Sequence, residues 1–146
     1  MRGQLSVEMF IAVTLALIFF GWMANFVNAF QSSQLSTSVY SQEKAVASTL
    51  ARLANAACTT NVSIQVALPC ISAGSQPIQA YTVNTTATGR PAVTVVAEGA
   101  NVSQASSEAL CNVTGAFSAQ CSGHDAGQAC AWRFNGAIRI SPGACP

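Results

Sequence analysis

Residues 9–30 read MFIAVTLALIFFGWMANFVNAF, a run without a single charged side chain. As a helix it rises roughly 33 Å, enough to cross the hydrocarbon core of a bilayer. Its polar interruptions are Thr14, Asn25 and Asn28, and Gly21 is its one flexible point. A hydroxyl such as that of Thr14 can bond back to its own helix at little cost. After Gly21 no Gly or Pro occurs until Pro69. Through that stretch Leu35, Val39, Val46, Leu50, Leu53 and Ala57 recur at helical spacing, with Ser, Thr and Gln filling the opposite face. The pattern predicts one helix from about residue 6 to about residue 57. A periodic helix of that length exceeds what a small globular domain needs and suggests partner helices. A membrane anchor followed by a separate amphipathic helix is the alternative reading.

Beyond Cys58 the period changes. Alternation and enrichment in Val, Ile, Thr, Tyr and Trp predict strands at 63–68, 80–83, 92–97, 131–134 and 137–140. Asn135-Gly136 is a two-residue hairpin signal, because both positions accept positive φ. Residues 103–110 are expected to hold a helical turn or two, and 115–128 to be loop. No internal repeat is found. The fold class expected is α+β: a long N-terminal membrane or filament-core helix with a disulfide-braced, β-rich globular head.

Composition narrows the setting. Charged residues make up 8% of the chain, against about 25% in an average soluble domain. Net charge is +1 and the six basic residues are scattered, so nucleic-acid binding has no electrostatic support. All six cysteines, Cys58, Cys70, Cys111, Cys121, Cys130 and Cys145, follow the apolar run. An even set on one side of a membrane-length segment reads as an oxidised, extracytoplasmic domain. Their intervals of 12, 41, 10, 9 and 15 residues do not suggest zinc. Of the 15 connectivities open to six cysteines, pairing along the chain is expected: Cys58–Cys70, Cys111–Cys121 and Cys130–Cys145. Four N-glycosylation sequons, at Asn61, Asn84, Asn101 and Asn112, lie on the same side. Glycans there would wet a surface otherwise poor in charge.

Directly before the apolar run stands Arg2-Gly3-Gln4-Leu5-Ser6-Val7-Glu8. This stretch resembles the class III signal peptide of archaeal type IV pilin precursors, in which a Gln-x-Ser-x-Glu motif follows a basic residue and Gly. Gln4, Ser6 and Glu8 match the motif. The resemblance implies that a membrane peptidase cuts between Gly3 and Gln4 on the cytoplasmic side, and that the helix stays with the mature chain. It makes residues 1–3 a leader, 4–30 an apolar helix that first spans the membrane and then lines a filament, 31–57 its amphipathic continuation and 58–146 an extracellular head. The implied partners are identical subunits, the prepilin peptidase and the pilus assembly machinery. The head itself matches no particular pilin.

Physical chemistry gives the motif a role. A carboxylate drawn into the bilayer core costs about 2.5 kcal/mol or more, so Glu8 needs a reason to stand at its edge. Cleavage would leave a free α-amine on Gln4, about one helical turn from Glu8, and the two could pair within or between subunits. The plainer reading is that Glu8 favours the positive end of the helix dipole, which leaves Gln4 and Ser6 unexplained. A competing reading takes Val27-Asn28-Ala29 as a signal-peptidase site, with a secreted domain starting at Phe30. Against it, the apolar run exceeds an ordinary h-region of roughly 7–15 residues, and the helical pattern runs past the cut.

The remaining chemistry is sparse. His124, the single histidine, adjoins Asp125 in a Ser/Gly-rich setting that reads as solvated loop. Trp132 and Phe134 alternate on one strand and are expected in the core. No nucleophile with a base, phosphate loop or metal cluster is visible, so neither enzyme activity nor a cofactor is expected. The function expected is a structural filament subunit serving surface adhesion. A tethered binding module, or a minor pilin or pseudopilin, is the alternative.

Overall fold

The computed structural model describes residues 2–74, 76–87, 89–99, 104–123 and 125–146, with side chains from Val7 onward except Gln76 and Pro77. One helix, α1 (Arg2–Thr60), precedes ten strands. The chain divides into two units after Gln34. The first consists of helix alone. The second, Leu35–Pro146, holds the rest of α1 and every strand. The architecture is α+β, with a single unbroken helix in place of an anchor joined to a separate one.

In the second unit, Val39, Val46, Leu50, Leu53 and Ala57 are buried as their spacing demands, while Leu35 stays 43% exposed. The helix ends at an asparagine: Asn61 takes a φ of 56° and its N–H donates to the Ala57 carbonyl at 3.1 Å. A left-handed residue after the last turn satisfies an orphan carbonyl, and Asn tolerates that conformation better than most residues.

Two four-stranded sheets follow. The strands are β1 (Ile64–Pro69), β2 (Ser72–Ala73), β3 (Gln76–Pro77), β4 (Ala80–Thr86), β5 (Ala92–Ala97), β6 (Gln104–Glu108), β7 (Val113–Thr114), β8 (Ala116–Gln120), β9 (Asp125–Phe134) and β10 (Ala137–Pro142). One sheet runs β1-β9-β10-β7, with only the β10–β7 pair parallel, and the other runs β6-β5-β4-β8, antiparallel throughout. β2 and β3 form a small ribbon. Val83, Val93 and Val95 of one sheet and Ile138 and Ile140 of the other join the helix stripe in one hydrophobic core.

The sheets are linked through Gly115, between β7 and β8. Its φ of 153° is open to glycine, and a Cβ there would lie 2.3 Å from the Ile140 carbonyl oxygen. Only a residue without a side chain lets the chain leave one sheet and enter the other at this point. The β9–β10 hairpin turns on Asn135 (φ 50°) and Gly136 (φ 82°), as the dipeptide predicts.

Several expectations are corrected. Residues 104–108 are a strand, not a helical turn, because they pair in register with β5, Ala105 opposite Val95 and Ser107 opposite Val93. Residues 115–128 are not loop: β8 and the start of β9 occupy much of them, built, apart from Phe117, from Ala, Ser, Gly, Gln and Asp125, whose strand preference is weak until a partner strand supplies it. Phe134 is 51% exposed and Trp132 half-buried, since both stand opposite the core-facing Ala129 and Ala131 on β9.

All six cysteines are bridged, as Cys58–Cys111, Cys70–Cys121 and Cys130–Cys145. The first two depart from pairing along the chain for a geometric reason. Between Cys58 and Cys70 the chain runs out along β1, about 20 Å of extended backbone, far beyond disulfide reach. β7 and β8 separate Cys111 from Cys121 in the same way. A hairpin lies between Cys130 and Cys145 and brings them back together. The crossed pairs close loops of 53 and 51 residues, each removing unfolded-state entropy worth about 4 kcal/mol in the loop-closure picture, against about 3 for the short loop.

Tyr81, on the inner side of β4, is buried and its hydroxyl donates to the Pro69 carbonyl at 3.2 Å. Burial pushes its phenol up to about 12. Below the ordinary phenol value of about 10 both folded and unfolded chains keep the proton, and the group's contribution is intact. Between there and the raised value only the unfolded chain releases it, so stability falls as pH rises. We expect a loss on the order of 2 kcal/mol across that window. Tyr81→Phe should start less stable at neutral pH and decline less steeply above pH ~10. Denaturant titrations of both proteins from neutral to alkaline pH test this, and parallel curves would contradict it.

Candidate functional site

The first unit presents a helix whose side chains are apolar on every side and uncovered. From Val7 to Phe30 every residue is exposed, Phe10 at 73% and Trp22 at 63%. A helix hydrophobic all round belongs in a bilayer or among other helices. The polar groups in the run serve the helix itself: Thr14 Oγ1 donates to Phe10 O at 2.8 Å, and Asn25 Nδ2 to Gly21 O at 3.0 Å. Trp22 stacks on Phe26 one turn along. The helix is long and apolar enough to cross a membrane. Glu8 is exposed, and the backbone of Gly3, Gln4 and Ser6 is helical, while the side chains of Gln4 and Ser6 lie outside the described residues.

In the second unit the helix is fastened by polar contacts that sequence reasoning missed. Glu43 is fully buried, and its carboxylate accepts from the Ala97 N–H at the end of β5, at 2.7 Å. Gln42 clamps Ser72, donating to its carbonyl at 2.8 Å and accepting from its N–H at 2.9 Å. Asn55 Oδ1 accepts from the Leu110 N–H at 2.7 Å. Lys44 Nζ donates to the Ser106 carbonyl, and Cys58–Cys111 adds a covalent tie. For Glu43 a signal was available: it falls on the stripe of Val39, Val46 and Leu50, where an acid faces the core. The Gln42 and Asn55 contacts have no such signature.

Three of the four sequon asparagines are described, and Asn61, Asn84 and Asn112 are all exposed. Asn61 follows the helix, Asn84 lies on the outer side of β4 and Asn112 precedes β7. Asn101 lies outside the described residues, as does His124. Asp125 is exposed at the start of β9, bridged through its backbone to Ser122. Among the described residues no group of acids, histidines and cysteines is placed to hold a metal ion. The three disulfides fit an oxidising, extracytoplasmic setting.

No protein-family model matches the chain, and no curated protein or solved structure is found to be similar to it.

Glu43 is therefore the residue on which helix and sheet are expected to depend most. Replacing it with Ala removes a charge-assisted bond and leaves a buried N–H without its acceptor, a loss of about 3 kcal/mol. Glu43→Gln keeps an acceptor of the same shape and should lose less. Urea unfolding of the detergent-dispersed full chain measures both. An alanine variant as stable as wild type would remove Glu43 from this role.

Proposed function

We propose that this chain is a pilin, a structural subunit of an archaeal type IV-like pilus that polymerises through its N-terminal helix. The observation that carries the reading is the uncovered apolar helix surface immediately after Gln4-x-Ser6-x-Glu8. Apolar area in water costs roughly 25 cal/mol per Å², so this surface needs lipid or other helices around it. A precursor held in the cytoplasmic membrane, with its head outside, uses lipid first. A filament of identical subunits replaces lipid with neighbouring helices.

On this reading the prepilin peptidase removes residues 1–3, and the new α-amine of Gln4 pairs with Glu8 on the same or the next subunit. The assembly machinery then draws the helix out of the membrane, and the role of the chain is structural and adhesive, not catalytic. Glycans on one or more of Asn61, Asn84, Asn101 and Asn112 keep the sparsely charged head hydrated. A membrane-tethered monomer, or a minor subunit, is what a failed test would leave.

Two measurements on cells making the protein decide the matter. Mass spectrometry of sheared surface material should give a chain starting at Gln4, and its glycopeptides should show at least one occupied sequon. A start at Phe30 would overturn the processing reading, and four bare asparagines would remove the glycan. Glu8→Ala should be inserted and cut normally yet build about tenfold fewer filaments or worse. Breaking a shielded pair costs several kcal/mol, and each 1.4 kcal/mol is tenfold. Wild-type filament numbers in the mutant would make Glu8 a helix-dipole residue and nothing more.

A further inference from the structure

The outer face of the β9–β10 hairpin carries the head's exposed aromatic group. Trp132 and Arg139 are direct cross-strand partners, and Phe134 lies two residues further along β9 on the same face. The Arg139 guanidinium sits over the Phe134 ring, 5.7 Å from its centre. Trp132 is half-buried and Phe134 51% exposed, so both rings are fixed at one end and open at the other. Arg133, also exposed, lies between them in sequence and on the opposite face of the strand.

The one ion pair among the described residues joins Arg90 to Glu108, and Glu98 accepts from Thr82 on the other sheet. Among the described residues Arg139 is thus the one cation on this face, and no carboxylate is paired with it. The neighbouring outward side chains on this sheet are neutral hydrogen-bonders, Gln65 and Gln128, bonded to each other.

We propose that this face binds carboxylated polysaccharide. The apolar faces of uronate rings stack on Phe134 and Trp132, and Arg139 takes a carboxylate through the guanidinium edge left free by its ring contact. The chemistry is matched piece by piece. A planar aromatic supplies contact area at little loss of freedom, a guanidinium holds a carboxylate by two parallel bonds, and neutral amides suit sugar hydroxyls. A polyphosphate is a poorer match. Nucleic-acid backbones place a charge about every 1.7 Å of duplex and call for an array of cations, whereas this face has one, Arg139. The inference concerns the head alone and does not rest on filament formation.

The test uses the full chain dispersed in non-ionic detergent. The chain has two tryptophans, so a Trp22→Phe background makes Trp132 the only tryptophan, excited selectively over the tyrosines. Titration with oligo-alginate should give a saturable change in its emission, and neutral dextran should give none. In the same background Arg139→Gln and Phe134→Ala should each weaken binding about tenfold or more. Both side chains are exposed, so melting temperatures should stay unchanged and loss of fold is separable from loss of binding. Equal affinity in the variants would overturn the proposal. So would polyacrylate, which has carboxylates but no rings, or oligo-dT binding as tightly as alginate. Self-association of the chain that Phe134→Ala abolishes, without an alginate response, would assign the face to a second copy and sink the proposal too. Because the measurement is on dispersed subunits, its failure would leave the filament reading standing, and the absence of filaments would not alter its outcome.

Discussion

A helix bonds its backbone groups to one another, so it keeps the same backbone whether lipid, protein or water surrounds it. The environment acts on the side chains alone. Here α1 uses that independence twice within Arg2–Thr60. From Met9 to Phe30 every side of the helix is apolar and each residue is exposed. Beyond Leu35 the apolar positions narrow to a stripe, and the head is built on that stripe. The head thus depends on half of the helix, and the other half remains available to whatever surroundings the molecule meets.

The buried stripe alone would hold the head loosely in register, because apolar contact has no preferred direction. Direction comes from Glu43, Gln42 and Asn55, each reaching a backbone group of a different segment. An acid inside the core is costly unless bonded, so Glu43 penalises arrangements that separate it from the Ala97 N–H. Gly115 acts the same way from the opposite side, since its close approach to Ile140 fixes where one sheet gives way to the other.

What could be read from the sequence was what depends on neighbours along the chain. The helix showed in its period, β5 in an unbroken Val-rich run and the last hairpin in Asn135-Gly136. What depends on partners far away was harder to see. β6 and β8 are made of Ala, Ser and Gln with Glu108 and Phe117, have little alternation of their own, and become strands through pairing with β5 and β4. The crossed disulfides follow from strand direction, which spacing does not encode. Phe134 was misplaced because alternation tells which residues share a face but not which face is inner. Of the candidate site, the apolar helix and the exposure of three sequons were legible, whereas the polar fastenings of the head were largely not.

The disulfide pattern also settles how the head would carry tension. The shortest covalent path from the end of the helix to Cys145 crosses Cys58–Cys111, follows the backbone to Cys130 and crosses again to Cys145. The strands from β2 to β6 lie in the 70–111 stretch, which a pull along the chain leaves slack, while β1 lies on a second route of nearly equal length, from Cys58 to Cys70 and across to Cys121. Force applied between the helix and the far end of the head would therefore be shared between β1 and the β7–β8 segment, and then fall on the first part of β9. The head could lengthen only a little before the load passed to covalent bonds.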